Sequence, residues 1–188
     1  MSRRVVVAIT GASGSIYGVR ALELLQAFDD IETHLVISPA GRTTIGVELD
    51  RTVESIEQLA DVVHGSRDIG ASISSGSFRT HGMIVAPCSI RSLSAIANCH
   101  SGELVARAAD VTLKERRPLV LMVRETPFHI GHLRLMQQAA EAGAIIHPPV
   151  PAFYNEPKTI DDLVTHSTGR ALELLGIDGI DLQRWSGG

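Results

Sequence analysis

The stretch that most constrains this chain is RRVVVAIT followed at once by GASGSIYG, residues 3 to 18. Five of the six residues from Val5 to Thr10 are apolar and the first three are β-branched, which predicts a buried strand. Gly11 breaks the run, and Ser15 to Leu25 then carry apolar residues at helical spacing. The reading is a strand, a Gly/Ser turn and a helix N-terminus, whose free N–H groups and dipole suit an anion. A phosphate-bearing ligand over Gly11 to Ser15 is therefore expected, with a tight, ligand-free βα connection as the plain alternative. The glycines are spaced G-x-x-G-x-x-x-G, and the second strand, Thr33 to Ile37, ends in Ser38 rather than an acid. Both facts argue against a dinucleotide fingerprint. No Gly-Lys-Ser/Thr follows the turn, so it is not a nucleotide-triphosphate P-loop.

With 188 residues, of which 44% are hydrophobic and 20% charged, the chain fits one globular domain over 1–188, with a C-terminal tail from about 178. A net charge of −4 and no basic tract longer than KERR argue against nucleic acid as the main partner. The apolar run after Arg3-Arg4 is too short for a leader, and no segment reaches the ~18 apolar residues of a membrane span, so a cytoplasmic location is expected. Cys88 and Cys99 read as reduced thiols, Cys88 as a small buried residue at a strand end. Of eight histidines only His129 and His132 are spaced to share a helix face, too few to expect a metal.

Along the chain, Pro39 to Leu49 reads as a helix entered through proline, with Glu48 near its end and unremarked by spacing alone. Residues 51 to 68 look like a helix or an irregular excursion, and Asp68 to Arg79 like a serine-rich loop near the ligand edge. Met83 to Ala86 form a third strand, after which Ser89 suits a helix N-cap. In an open α/β sheet the ligand crevice lies outside the carboxyl ends of the strands, so Ser13, Ser38 and Ser89 are expected to converge there. Residues 103 to 117 read as a helix on which Arg107 and Lys114 share a face. The next strand, PLVLMV, carries Arg124-Glu125 at its carboxyl end. A charged pair fixed there seldom serves stability alone, which makes Arg124 a candidate phosphate or flavin ligand. His129 to Ala142 form a helix, Ala144 to Ile146 a short strand, and PPVPAFYNEP a stiff loop presenting Phe153 and Tyr154. Thr159 and Asp162 resemble a capping box for the last helix, which carries Arg170. Asp161-Asp162 is not followed as in an aspartate-rich magnesium motif, and the tail around Arg184 and Trp185 is expected to fray.

Taken together, GASGSIYG, ISSGSF, APCS, RAADVTLKERRPLVL, RETP, HLRLM and PPVPAFYNEP resemble, in order and over nearly the whole chain, the flavin prenyltransferase family of UbiX-type proteins. The resemblance implies a single-domain, Rossmann-like, doubly wound, mostly parallel α/β fold. It implies that reduced FMN is bound by Gly11, Ala12 and Ser13, by Ser38, by Ser89, Ile90, Arg91 and Ser92, and by Arg124. The second substrate would be dimethylallyl monophosphate, held by Lys114, Tyr154 and Arg170 with Glu125 nearby, and joined to flavin N5 and C6 without a metal. Ser13 and Glu48 would move protons, which promotes Glu48 above its spacing. The family further implies a dodecamer whose sites are completed between neighbours, and a UbiD-type decarboxylase that receives the product. Asn98-Cys99, where the family has a small residue and glycine, and Arg91, where lysine is usual, are the departures. Two other readings compete: an FMN-dependent decarboxylase of the cysteine-decarboxylase superfamily, whose P-x-M-N motif is missing here, and a non-catalytic FMN-carrying subunit.

Overall fold

The computed structural model describes residues 2 to 184. Six strands, β1 (Arg3–Ile9), β2 (Ile31–Ile37), β3 (Val62–His64), β4 (Gly82–Cys88), β5 (Leu119–Val123) and β6 (Ile145–Ile146), form one sheet in the order β3-β2-β1-β4-β5-β6. Every pairing is parallel, so all carboxyl ends lie on one edge. The helices are α1 (Ser15–Leu25), α2 (Pro39–Glu48), α3 (Val53–Glu57), α4 (Ile90–Ala97), α5 (Leu104–Lys114), α6 (Ile130–Glu141) and α7 (Ile160–Glu173). A sheet covered on both faces explains why its central strands are continuously apolar rather than alternating. Val5, Val7 and Ile9 of β1 face α1 and α7, while Val6 and Ala8 face α4 and α5.

The chain leaves β1 toward β2 on one side and returns to β4 on the other, which puts the topological switch point between β1 and β4. Thr10, fully buried, ties the two ends together: its hydroxyl donates to the Pro87 carbonyl at 2.7 Å and accepts the Ser89 amide at 2.9 Å. The lacing continues sideways, with the Ser38 amide on the Ile9 carbonyl at 3.0 Å and the Arg124 amide on the Cys88 carbonyl at 3.1 Å. Residues 11, 38, 89 and 124 are thus held in one row.

Two sequence expectations change. Residues 51 to 68 hold a short helix, α3, and then β3, a three-residue edge strand too brief for periodicity to reveal. The serine-rich loop contains a 3-10 turn at Ser72–Ser74 and does not stay at the ligand edge. It descends along α5, where Arg107 donates to the Ser74 carbonyl and Arg117 to those of Gly76 and Phe78. Beyond α7, Ile177 and Ile180 are buried and Leu182 packs on the same core. Trp185 lies outside the described residues.

Candidate functional site

Along the carboxyl edge a cavity of about 370 Å³ is lined by Gly11, Ser38, Ser89, Arg91 and Ser92, with Ala95, Val105 and Ala106 as its apolar wall. Ser38 and Ser89 are the N-caps of α2 and α4, accepting the amides of Gly41 at 3.0 Å and Ser92 at 3.2 Å. Ser89 also passes its hydroxyl hydrogen to Ser92 Oγ at 3.1 Å, which leaves the Ser92 hydrogen to point elsewhere. Two helix N-termini with spare hydroxyl donors therefore meet one cavity and favour an anion. Gly11 is required beside it: a Cβ there would stand 2.3 Å from the Ala40 Cβ. Arg91, His100 and Glu103 form the charged rim, with Arg91 Nη2 2.9 Å from Glu103 Oε1. A polar end of hydroxyls and amides with a flat alanine-rich wall suits a phosphorylated tricyclic flavin.

The anion at the first turn is not a ligand. The Glu48 carboxylate accepts the amides of Gly14 at 2.8 Å and Ser15 at 3.0 Å, so it caps α1 itself. This corrects the expected phosphate over Gly11 to Ser15, because that slot is filled from within the chain. Burial pushes the Glu48 carboxyl upward, but the nearby Ser13 hydroxyl and the amides of Gly14 and Ser15 outweigh it and hold the group below the usual glutamate range. Glu48 is therefore an ionised acceptor, joined to Ser13. No spacing rule could find it, since 34 residues separate it from Gly14.

The remaining residues divide into three groups. Arg124 and Glu125 stand at the end of β5 but do not pair: the Glu125 carboxylate accepts its neighbour Thr126's amide at 3.0 Å, and Arg124 lies toward Tyr17. Burial raises the Tyr17 phenol, and Arg124 partly offsets it. Tyr154 and Arg170 each meet α7 side chains: the Tyr154 hydroxyl is 3.3 Å from His166 Nε2, and Arg170, four residues on from His166, pairs with Glu173. His147, whose Nε2 faces the Ser167 carbonyl, is kept below the usual imidazole range by burial, with Arg170 and His166 adding to the effect. Lys114 is at the end of α5 that leads into the amino edge of β5, and pairs with Glu115 at 2.6 Å. Of the expected clamp of Lys114, Tyr154 and Arg170, two members thus lie by α7, while Lys114 lies at the end of α5 that leads into the opposite, amino edge of the sheet.

Cys88 is fully buried and its thiol is pushed up to about 12, which makes it inert. The rings of His129 and His132 approach to 3.6 Å, and no group of three His, Cys, Asp or Glu side chains placed for a metal occurs among the described residues. Residues that sequence reasoning missed are Thr10, His100, Glu103 and His166. Only His166 had a signal, its i, i+4 spacing to Arg170.

A doubly wound sheet with an anion-binding cavity at its switch point defines a nucleotide- or flavin-binding α/β protein, and a Flavoprotein family model matches residues 1–167. The chain is 55% identical over 187 residues to the flavin prenyltransferase UbiX of Escherichia coli K12, covering 98% of this chain and 99% of the relative. It superposes on the crystal structure of AnUbiX (PadA1) in complex with FMN and dimethylallyl pyrophosphate with a TM-score of 0.97, at 48% identity and full coverage of both chains. A dodecameric FMN-dependent UbiX-like decarboxylase from Escherichia coli O157:H7 gives 0.95 at 44% identity, covering 98% of this chain and all of the other. This chain belongs to the UbiX flavin prenyltransferase family of flavoproteins.

Proposed function

We propose that this protein is a flavin prenyltransferase that joins the dimethylallyl group of a dimethylallyl phosphate to N5 and C6 of reduced FMN, as part of a dodecamer, for use by a UbiD-type decarboxylase. The single observation that carries the reading is the cavity at Ser38, Ser89 and Ser92, beside a separate polar group on α7 where Tyr154 meets His166, in a chain with near-complete likeness to an FMN and dimethylallyl pyrophosphate complex.

Reduced FMN supplies an electron-rich ring with nucleophilic N5 and C6. Ser38, Ser89, Ser92 and Arg91 hold its phosphate, Gly11 admits its backbone-facing edge, and Arg124 holds the ring end of the cavity. Breaking the allylic carbon–oxygen bond separates a delocalised cation from a phosphate, so donors are needed at the leaving group. Tyr154 and Arg170 supply them, and Lys114 joins them from a neighbouring copy, with Glu125 nearby. Forming two bonds to the ring displaces a proton from each position. Ser13 passes one toward Glu48, whose carboxylate is already ionised and so receives rather than gives.

The monophosphate is the donor this site fits: three cationic and phenolic groups match one phosphate, whereas a diphosphate carries more charge than they neutralise. A decarboxylase reading lacks its substrate motif, and an FMN carrier needs no second anion group. Arg170→Ala and Lys114→Ala should keep FMN while raising KM for dimethylallyl monophosphate at least tenfold, the loss of ~1.4 kcal/mol or more that a charged hydrogen bond represents. Unchanged KM in both variants would remove the clamp.

A further inference from the structure

Resting on the reading of the cavity as the flavin phosphate site, we propose that Glu103 competes with the flavin phosphate for Arg91. The arginine turns from carboxylate to phosphate as FMN binds and returns as the alkylated flavin leaves, so that the product is let go after each turnover. A protein that keeps FMN as a resident cofactor gains from the tightest grip on its phosphate. One that alkylates FMN for use elsewhere must undo that grip in every cycle.

Among the described residues that line the cavity, Arg91 is the only arginine or lysine and Glu103 the only acid. The two pair at its rim, Arg91 in the first turn of α4 and Glu103 just before α5, with Nη2 2.9 Å from Oε1. A carboxylate on the rim of an anion site works against the anion twice: it repels the phosphate, and it occupies the arginine best suited to hold it. His100 turns its Nδ1 hydrogen to the Asn98 carbonyl at 3.2 Å, an oxygen that can only accept, and so offers the cavity at most its other nitrogen.

Stability does not explain the pair. Both side chains are open to solvent, where an ion pair contributes little. Glu103 stands at the N-cap position of α5, yet its carboxylate makes no capping bond and reaches back 12 residues to Arg91 instead. Its backbone is fixed without the side chain: the Glu103 carbonyl accepts the Arg107 amide at 3.0 Å, and the Leu104 amide donates to the Ser66 carbonyl at 2.9 Å. The carboxylate can therefore swing while the chain around it stays in place, and the N-terminus of α5 favours its negative charge once Arg91 turns away.

In the exchange one ion pair replaces another. Arg91 leaves Glu103 for the phosphate, Glu103 stays beside the α5 N-terminus, and on release the order reverses, so the guanidinium has an anionic partner throughout. The N-caps at Ser38 and Ser89, bonded to the amides of Gly41 and Ser92, take no part in it. They place the phosphate, while Arg91 and Glu103 set how long it stays. Glu103 acts through Arg91 and is a positioning residue.

The test is FMN binding to the full protein, titrated by flavin fluorescence, with dissociation followed after rapid dilution. Glu103→Gln should lower the Kd for FMN about threefold, the size of an exposed ion pair, and slow dissociation by a like factor. In an Arg91→Ala background the same change should move Kd by less than about 1.5-fold, because the partner it frees is gone. Prenylated FMN left on the protein after one anaerobic turnover should likewise pass into a filtrate more slowly from Glu103→Gln, as followed by mass. Binding and dissociation equal to those of the unaltered protein, looser binding, or an equal gain in the Arg91→Ala background would overturn the exchange. A merely structural role would loosen binding, so the sign of the change decides. An unaltered protein that binds FMN but makes no prenylated flavin would instead overturn the prenyltransferase reading, while the Kd comparison still judges the exchange.

Discussion

Glu48 shows how one side chain can serve fold and chemistry together. Its carboxylate occupies the N-terminus of α1 through two backbone amides, a place where a negative charge is favoured by unsatisfied donors and the helix dipole. Because these contacts hold its pKa below the unfolded value, the stability they give is complete above ~4.3, the ordinary glutamate value, and fades as pH falls through the depressed folded value. Glu48→Gln should therefore melt lower than the unaltered protein at neutral pH, with the difference closing in acid, as followed by thermal unfolding across pH. The same variant should slow the second bond to the flavin more than the first, read as the time course of flavin mass. Equal loss of FMN binding would make Glu48 structural only. At this scale the sequence was partly legible: Ser38 and Ser89 announced themselves as hydroxyls at strand ends before helices, and both are N-caps on the cavity. Glu48 and Thr10 did not, because each works through a partner that folding, not spacing, brings near.

At the scale of elements, α1 is placed by contact rather than by its own propensity. Gly18 sits so close to the sheet that a Cβ would meet the Ala86 carbonyl at 2.3 Å and Ile9 Cγ1 at 2.5 Å, both at the switch point. Gly18→Ala should push α1 off β1 and β4, cost about 1–3 kcal/mol and weaken FMN binding, measured by denaturant unfolding and flavin titration. The long central strands were readable because each is a run of five to seven buried residues. β3 was not, since three residues at an edge leave no period to count. The loop over residues 68 to 79 was read as lying near the ligand edge, but its course is set by Arg107 and Arg117, whose bonds to its carbonyls are tertiary. The capping box of Thr159 and Asp162 needed no such context: both reciprocal bonds form as their spacing predicts.

For the whole molecule, the separation of Lys114 from Tyr154 and Arg170 is the strongest argument that one copy is incomplete. Exposed apolar side chains at Ile130, Leu133, Val150, Phe153 and Ile160 give α6, the proline loop and the start of α7 the surface that copies of the chain can bury. A mixed oligomer of Lys114→Ala and Arg170→Ala chains should therefore regain activity that neither variant shows alone, since some sites draw an intact lysine from one chain and an intact arginine from the other. No recovery in verified mixed oligomers would place the clamp within one chain. The assembly was legible only through resemblance, because nothing in residue spacing says which surfaces meet.

The central claim, that the cavity and the α7 group together alkylate a flavin, is tested most directly by mass. Purified protein incubated anaerobically with reduced FMN and dimethylallyl monophosphate should yield FMN heavier by one isoprene unit, together with one equivalent of inorganic phosphate. Flavin recovered at its original mass, from protein shown to hold FMN, would contradict the account.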